Sequence, residues 1–391
     1  QYGFHYSETS AYGRYDRHQR TRNGLPRYGD WDYGPQIWMM NNLNITHNTE
    51  NSLFDEMAIR LAIQNFDESR ISRNFNESNR ETQTEKVYAY SGNLDFTKSL
   101  GERNQLFYGL EIVHNDVRSN GSITNIDTGV TTLGPSRYPY ATWASYAAYL
   151  SNQFTVSEKF MVQGGLRYNH NTLDAEFDTT FYPFPFETAS LDNGSITGNL
   201  GMVYRPSKDW VVSANAASAF RAPNVDDMGK VFDSEPGSVV VPNPDLEAEY
   251  AYNGDVGIAK VFGKSVKVDV SAYYTLLKNA LVRRDYKLNG QDSIVYNGEL
   301  SQVQAIQNAA EAKVYGIQAG LEIKLPKGFG FSSDFNFQKG EEELDDGTTS
   351  PSRHAAPWFG VSRLNFKTQK LNMQMYVDYS GEVKFEDLAE E

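Results

Sequence analysis

From Phe160 the chain reads FMVQGGLRYN, which puts Phe160, Val162, Gly164, Leu166 and Tyr168 on one side and Gln163, Arg167 and Asn169 on the other. A repeat of two is the period of a β-strand, whose successive side chains point to opposite faces. The alternation returns in Leu371, Met373, Met375, Val377 and Tyr379 against Asn372, Gln374, Tyr376 and Asp378. It returns again in Phe329, Phe331, Phe335 and Phe337 against Gly330, Ser332, Asp334 and Asn336, and through 57–65, 87–97, 105–113, 196–205, 250–259 and 266–277. Helical spacing is sustained nowhere.

The connections are of two kinds. Short ones, such as TVSEKF (155–160), RPSKDW (205–210), VFGKSV (261–266), LPKGFG (325–330) and KTQKLN (367–372), with turns near 47–53 and 99–105, alternate with long polar ones. The long ones fall near 8–35, 67–85, 115–141, 172–194, 221–248, 280–305 and 339–356. Seven of each kind predict about fifteen antiparallel strands, with short turns at one end and long loops at the other, the layout of an outer-membrane barrel. Phe96, Phe154, Phe160, Tyr204, Trp210, Phe262, Phe329 and Phe366 recur beside the short turns, where a ring belt meets a membrane interface.

A soluble sandwich needs a dry interior, but one face of these strands carries Gln163, Arg167, Asn169, Asp269, Asp334, Asn336, Gln374 and Asp378. Polar inside and apolar outside predict an all-β fold: a large antiparallel transmembrane β-barrel with a wet or plugged lumen. An odd strand count predicts a barrel that lacks strands at one or both ends, since single-chain bacterial barrels have even counts.

Composition narrows the class. In 391 residues, 39% are apolar and 13% aromatic, mean hydropathy is -0.57, and no apolar run is long enough for a membrane helix. The chain has no cysteine, which excludes disulfides, thiolate metal sites and cysteine nucleophiles. A formal charge of -14 argues against a nucleic-acid partner and reads as a solvated acidic surface. The opening QYGFHYSETS, with no initiator Met and no apolar signal, reads as a processed chain or a piece of one.

Two blocks frame one long loop. In AFRAPN (219–224) Pro223 removes a ladder donor and pushes Ala222 into an extended conformation, so the strand from Trp210 must stop. In NPDLEAE (243–249) Pro244 presets a turn and Asp245 is expected to cap its own backbone before the next strand. Taken in order, Phe220, Arg221, Ala222, Pro223 and Asn224, then Asn243, Pro244, Asp245 and Leu246, then QNAAEAKVYGIQAGLEI (307–323) and PSRHAAPWFGVSRLNF (351–366), resemble the signature set of the TonB-dependent outer-membrane receptor barrel. DYGPQIWMMNNLNI (32–45) and LFDEMAIRLAIQNFDESRISRNF (53–75) are similar to the haemoglobin, transferrin and lactoferrin receptor branch.

The resemblance implies a partial barrel over 1–391, a fragment of a 22-stranded one, in the cell outer membrane. It implies an N-terminal plug, ligand capture by the outer loops, and energy from the TonB complex reaching the barrel through that plug. Neither a plug nor a TonB box is legible here, and FEDLAEE (385–391) does not resemble the family's terminal strand. Haem-binding members carry a histidine between the FRAP and NPDL boxes, whereas 225–242 reads VDDMGKVFDSEPGSVVVP and has none.

The first long loop collects Arg20, Arg22, Arg27, Tyr28, Trp31 and Tyr33. Arginine and flat rings suit anionic aromatic ligands such as catecholate chelates or porphyrins. Arg27, Tyr28, Trp31, Tyr33 and Arg221 are therefore the candidate ligand contacts. The plainer reading is an interface belt in which the loop arginines pair with Asp30 and Asp32, and Arg221 pairs with Asp226, Asp227 or Glu247. His5, His18, His47, His114, His170 and His354 are scattered, so no metal site and no cofactor are expected. No catalytic constellation is present: GKSVK (263–267) lacks P-loop spacing, and no histidine pairs with Ser and Asp in a recognisable turn. The expected partners are outer-membrane lipid, the TonB complex and a nutrient or iron-chelate ligand. A passive porin, a structural or adhesive barrel, and a soluble β-rich surface protein stay open as alternatives.

Overall fold

The computed structural model describes residues 1–22, 24–182, 184–235, 237–296, 298–308, 311–343, 348–351 and 357–383. His354, most of the PSRHAA stretch and the FEDLAEE segment lie outside the described residues.

One antiparallel sheet runs through the chain. Its strands are β1 (Tyr2–Glu8), β2 (Tyr28–Asn48), β3 (Glu56–Asn74), β4 (Asn79–Ser99), β5 (Asn104–Asn125), β6 (Tyr140–Ser157), β7 (Phe160–Glu176) and β8 (Thr188–Tyr204). They continue as β9 (Trp210–Arg221), β10 (Glu249–Phe262), β11 (Val266–Lys278), β12 (Glu311–Lys324), β13 (Phe329–Glu343), β14 (Trp358–Lys367) and β15 (Asn372–Ser380). Each pairs with the next in sequence, and the short pieces Tyr12–Gly13, Thr131–Gly134 and Thr349–Pro351 complete an 18-stranded sheet. The meander and its strand order match the alternation read from sequence. Among the described residues no pairing joins β1 to β15.

The two faces differ as the pattern requires. Leu61, Leu110, Leu166, Ile196, Leu200 and Val256 stand bare on one side, 47 to 71% exposed. On the other side Arg60 pairs with Asp95 at 2.7 Å, Tyr149 donates to Asp95 at 2.5 Å, and Arg167 reaches Glu111 at 2.5 Å. A continuous band of bare apolar side chains suits lipid, and the linked polar side suits a lumen.

Rings mark both edges of the apolar band. At the short-turn end Phe96 stacks on Tyr108, Phe160 meets Tyr204, Phe329 meets Phe366, and Lys260 lies over Trp210 and Phe262. At the other end Phe220 meets Tyr250, Tyr274 stacks on Tyr315, and Trp358 touches Phe335 and Tyr379. Along β9 the two belts are separated by the ten steps from Trp210 to Phe220, roughly 33 Å of strand, which a tilt near 45° reduces to a membrane's hydrocarbon thickness.

Two expected loops are in large part strand. Residues 67–74, 79–85 and 115–125 extend β3, β4 and β5 past the apolar band, leaving only 75–78 to connect β3 and β4. Both faces of a strand that leaves the membrane meet water, so NRETQTEK (79–86) carries no alternation to read.

The loops after β9 and β11 are not open coil either. The first forms a short helix, α2 (Val225–Gly229), following α1 (Tyr15–His18) in the first loop, and the pieces Phe232–Glu235 and Ser238–Val240. The second forms Leu281–Asp285, Ser293–Tyr296 and Glu299–Asn308, and together they make a five-stranded sheet in which Ser238–Val240 runs parallel to Gln302–Gln304. This cap has its own dry centre in Val231, Val239, Val241, Leu288, Val303 and Ala305.

The cap is packed onto the barrel wall. Ala141, Ala175 and Ala189 face one another across β6, β7 and β8, and Trp143, Leu173 and Leu191 form the next row. The small row leaves depth that Met228 and Leu246 fill; Met228 and Leu173 are both fully buried. Apolar burial of this extent fixes the cap as part of the folded body.

Candidate functional site

The two signature boxes form the roots of the cap's first loop. Pro223 ends β9 as expected, and Asn224 becomes the N-cap of α2: its side chain accepts from the Asp226 and Asp227 N–H groups while Asp227 accepts from the Asn224 N–H. Arg221 donates to Asp227 and to Glu249, so of its expected partners Asp227 is the one it takes. Asp226 instead accepts from Tyr138 and Lys230, and Glu247 from Asn279.

In the second box Asn243, not Asp245, makes the cap. Its Oδ1 accepts from the Asp245 N–H at 3.1 Å while its Nδ2 donates to the Ile306 carbonyl at 2.8 Å, tying the two loops together. A buried amide that uses both ends in this way holds the backbone more rigidly than an exposed carboxylate. Phe220 meets Tyr250 in the outer ring belt, and Leu246 is buried under the cap.

A second set of contacts closes the cap against the wall. Tyr138 donates to Asp226 at 2.5 Å, and the guanidinium of Arg137, itself 7% exposed, lies 4.6 Å over the Tyr138 ring. Burial raises the Tyr138 phenol far above its usual value, reinforced by the Asp226 carboxylate it donates to. Burial also acts to raise Asp226, but the hydrogen bonds from Tyr138 and Lys230 outweigh it and hold the carboxyl below its usual value.

The first loop gathers part of the candidate set. Trp31 and Tyr33 meet in a T-shaped contact at 5.3 Å, with Arg14 and Arg17 each 5.3 Å over Trp31 and Arg70 5.1 Å over Tyr33. Arg27 lies 5.2 Å over Tyr28, beyond a register shift between Tyr28 and Asp30. Arg221 stands at the end of β9, with β3 to β8 between it and β2. The aromatic pair is thus brought together with arginines, but chiefly with Arg14, Arg17 and Arg70 rather than those singled out from sequence. Among the described residues Asp30 pairs with Arg73, and Asp32 lies 3.7 Å from His18. Arg70 fell in a stretch expected to be a long loop (67–85), and the strand pairing Tyr33↔Arg70 reveals it.

The lumen wall also offers a trough of about 630 Å³ on β11 to β15. Asp269, Asp334 and Asp378 stand in one cross-strand row, and Asn336, 8% exposed, has neither amide atom paired. Asp269 is matched by Lys267 and Asp334 by Arg363. Among the described residues no group of three or more His, Asp or Glu is placed to hold a metal.

A bare apolar band, a wet lumen, two ring belts and a packed cap agree with one comparison that covers nearly the whole chain: the family described as TonB dependent receptor-like, beta-barrel, matches residues 1–387. The chain belongs to this family. It is an outer-membrane barrel chain, and its relatives are receptors and transporters rather than enzymes. It is 27% identical over 253 residues to the hemoglobin-haptoglobin utilization protein B of Neisseria meningitidis, covering 59% of this chain and 30% of that protein. Among solved structures it is similar to the ferric yersiniabactin uptake receptor FyuA of Yersinia pestis, with a TM-score of 0.65 and 16% identity, covering 96% of this chain and 55% of that one. It is also similar to the copper transporter OprC, with a TM-score of 0.70 and 15% identity, covering 87% of this chain and 51% of that one. The chain spans about a third of the curated relative and about half of the solved receptors.

Proposed function

We propose that the chain is the barrel wall of a TonB-dependent receptor that imports a scarce nutrient, an iron complex of the siderophore or haem kind, captured at the long-loop mouth. The observation that carries this reading is the cluster of arginines stacked on Trp31 and Tyr33 in a barrel of this family. Cation and π-face together recognise a flat anionic chelate. Arg27 and Tyr28 extend this surface toward the loop tip, and Arg221 contributes at the rim.

On this reading residues 1–391 form one barrel domain, partnered by outer-membrane lipid and, through a plug, by the TonB complex. The test is growth of a deletion strain on iron chelate, haem or cobalamin as the defined source, with and without the gene restored. Loss of growth on an iron source, rescued only in a strain with TonB, supports the reading. Equal growth of the deletion strain on every source overturns it, and rescue without TonB favours a passive barrel.

A further inference from the structure

We infer that the lumen side of β2 and β3 carries a descending track for the flat face of an anionic aromatic ligand, from Trp31 and Tyr33 at the mouth through Phe66 and Trp38 to His5. The inference rests on the receptor reading and adds a path beneath the mouth.

The track exists because of an irregularity. Trp31 and Trp38 are seven residues apart, an odd number, so a regular strand would turn one of them to the outer face. Between Gly34 and Ile37 the register shifts: Gly34 pairs with Ser69 but Ile37 with Asp67. The extra residue on β2 restores the parity, as a bulge does when it re-aims a side chain. Trp31 and Tyr33 therefore pair with Ser72 and Arg70, and Trp38 and Met40 with Phe66 and Gln64, all even positions of β3. Arg60 is on that same face, joined to Asp95 in the lumen, while Leu61 and Ile63 point the other way, 47 and 49% exposed.

The rings are close enough to pass a flat group along. Below the mouth Trp38 and Phe66 lie 5.7 Å apart with planes 10° from parallel, and His5 is 4.4 Å from Trp38. The Trp38 N–H donates to Gln64 at 3.2 Å, which fixes the indole. From Arg70 to Phe66 is four residues of β3, roughly 13 Å, a gap that a multi-ring ligand spans. The guanidinium groups of Arg14, Arg17 and Arg70 cover the rings at the top, where Asp16 pairs with the first two and Glu68 with the third, and the lower rings are neutral. An anion is drawn to the arginines and its π-face is then shared with successive rings, no single contact being strong enough to arrest it.

Two ligands share this chemistry, an iron(III) catecholate and a ferric tetrapyrrole, and His5 separates them. An imidazole ligates an open axial position on a tetrapyrrole iron but finds none on a saturated catecholate. Of the five tryptophans, Trp31 and Trp38 are on the track, Trp143 packs under the cap, and Trp210 and Trp358 are in the ring belts. Titration of the detergent-purified protein with iron(III) tris(2,3-dihydroxybenzoate) and, separately, haemin should give saturable quenching with at least one probe. Trp31→Phe and Trp38→Phe should each remove part of the quench, and the pair Trp38→Ala with Phe66→Ala should weaken binding by about tenfold with unchanged heat-modifiable migration. His5→Ala should alter the Soret band if the bound probe is haemin. Saturable binding that ignores Trp38 and Phe66, or no saturable quench with either probe, overturns the track. If the Trp38→Ala and Phe66→Ala strain grows like wild type where the deletion strain does not, the receptor reading stands and the track alone fails.

Discussion

Arg221 Nη2 donates to both carboxylate oxygens of Asp227, at 2.7 and 2.6 Å, while its Nη1 reaches Glu249 at 3.1 Å. One guanidinium thereby clips the end of β9 to helix α2 and to the start of β10. Arg221→Ala strips the counter-charge from two carboxylates that are 13 and 15% exposed. Discounting for the half-exposed arginine, we expect the local opening free energy of 225–249 to fall by about 1–2 kcal/mol. Arg221→Lys should recover only part of this, because an ammonium lacks the planar fork. Hydrogen exchange in those peptides reads the effect; unchanged protection in Arg221→Ala would show that the clip contributes nothing.

Asn243→Ala should be costlier for its size. It leaves the Ile306 carbonyl and the Asp245 N–H without their partner in a buried setting, a loss of about 2 kcal/mol. Asn243→Asp separates the two roles, since a carboxylate accepts from Asp245 but cannot donate to Ile306. Protection of 299–308 should therefore fall in both variants, while protection near Asp245 falls only in the alanine variant.

The cap contact between Tyr138 and Asp226 should respond to pH at both ends. Asp226 is held below its usual value, so its contribution is present above the ordinary carboxylate value and is lost as pH falls through the lowered one, beneath about pH 4. Tyr138 is raised, so its contribution is complete below about pH 10 and is lost in alkali. Proteolytic nicking of 225–249 measured against pH should be least between these limits. Asp226→Asn should flatten the acid side, and an acid side of unchanged steepness would assign it to another group.

Leu200, 62% exposed on the apolar face, tests which side meets lipid. Leu200→Arg should destabilise the folded barrel by about 2–4 kcal/mol if the position lies near the bilayer midplane. The denaturant midpoint in lipid vesicles would show this, and Asn215→Arg on the lumen face should cost much less. Equal costs would mean that the two faces had been exchanged.

The strands within the membrane were legible because lipid on one side and water on the other impose alternation, as in Phe160–Tyr168. The ends of β3, β4 and β5 were not, since water on both sides removes that constraint. The cap was illegible for another reason: Ser238–Val240 is too short to show a period, and its partner Gln302–Gln304 is remote in sequence. The apolar run VVV (239–241), buried within an otherwise polar loop, was the available signal. At the mouth, Trp31 and Tyr33 could be picked out by residue type. Arg14, Arg70, Trp38 and Phe66 needed the register and the bulge, which no residue type announces.

The parallel pairing inside the cap also sets an order of assembly. Asn243 and Ile306 are 63 positions apart, and closing so long a loop for a few short ladder bonds is entropically unfavourable. The β10–β11 hairpin changes this, because its ladder brings Tyr250 opposite Lys278 and so delivers the roots of both loops to one place. The wall must zip before the roof can close, so a chain caught midway through folding would be a corrugated, open-topped trough with its mouth still unmade.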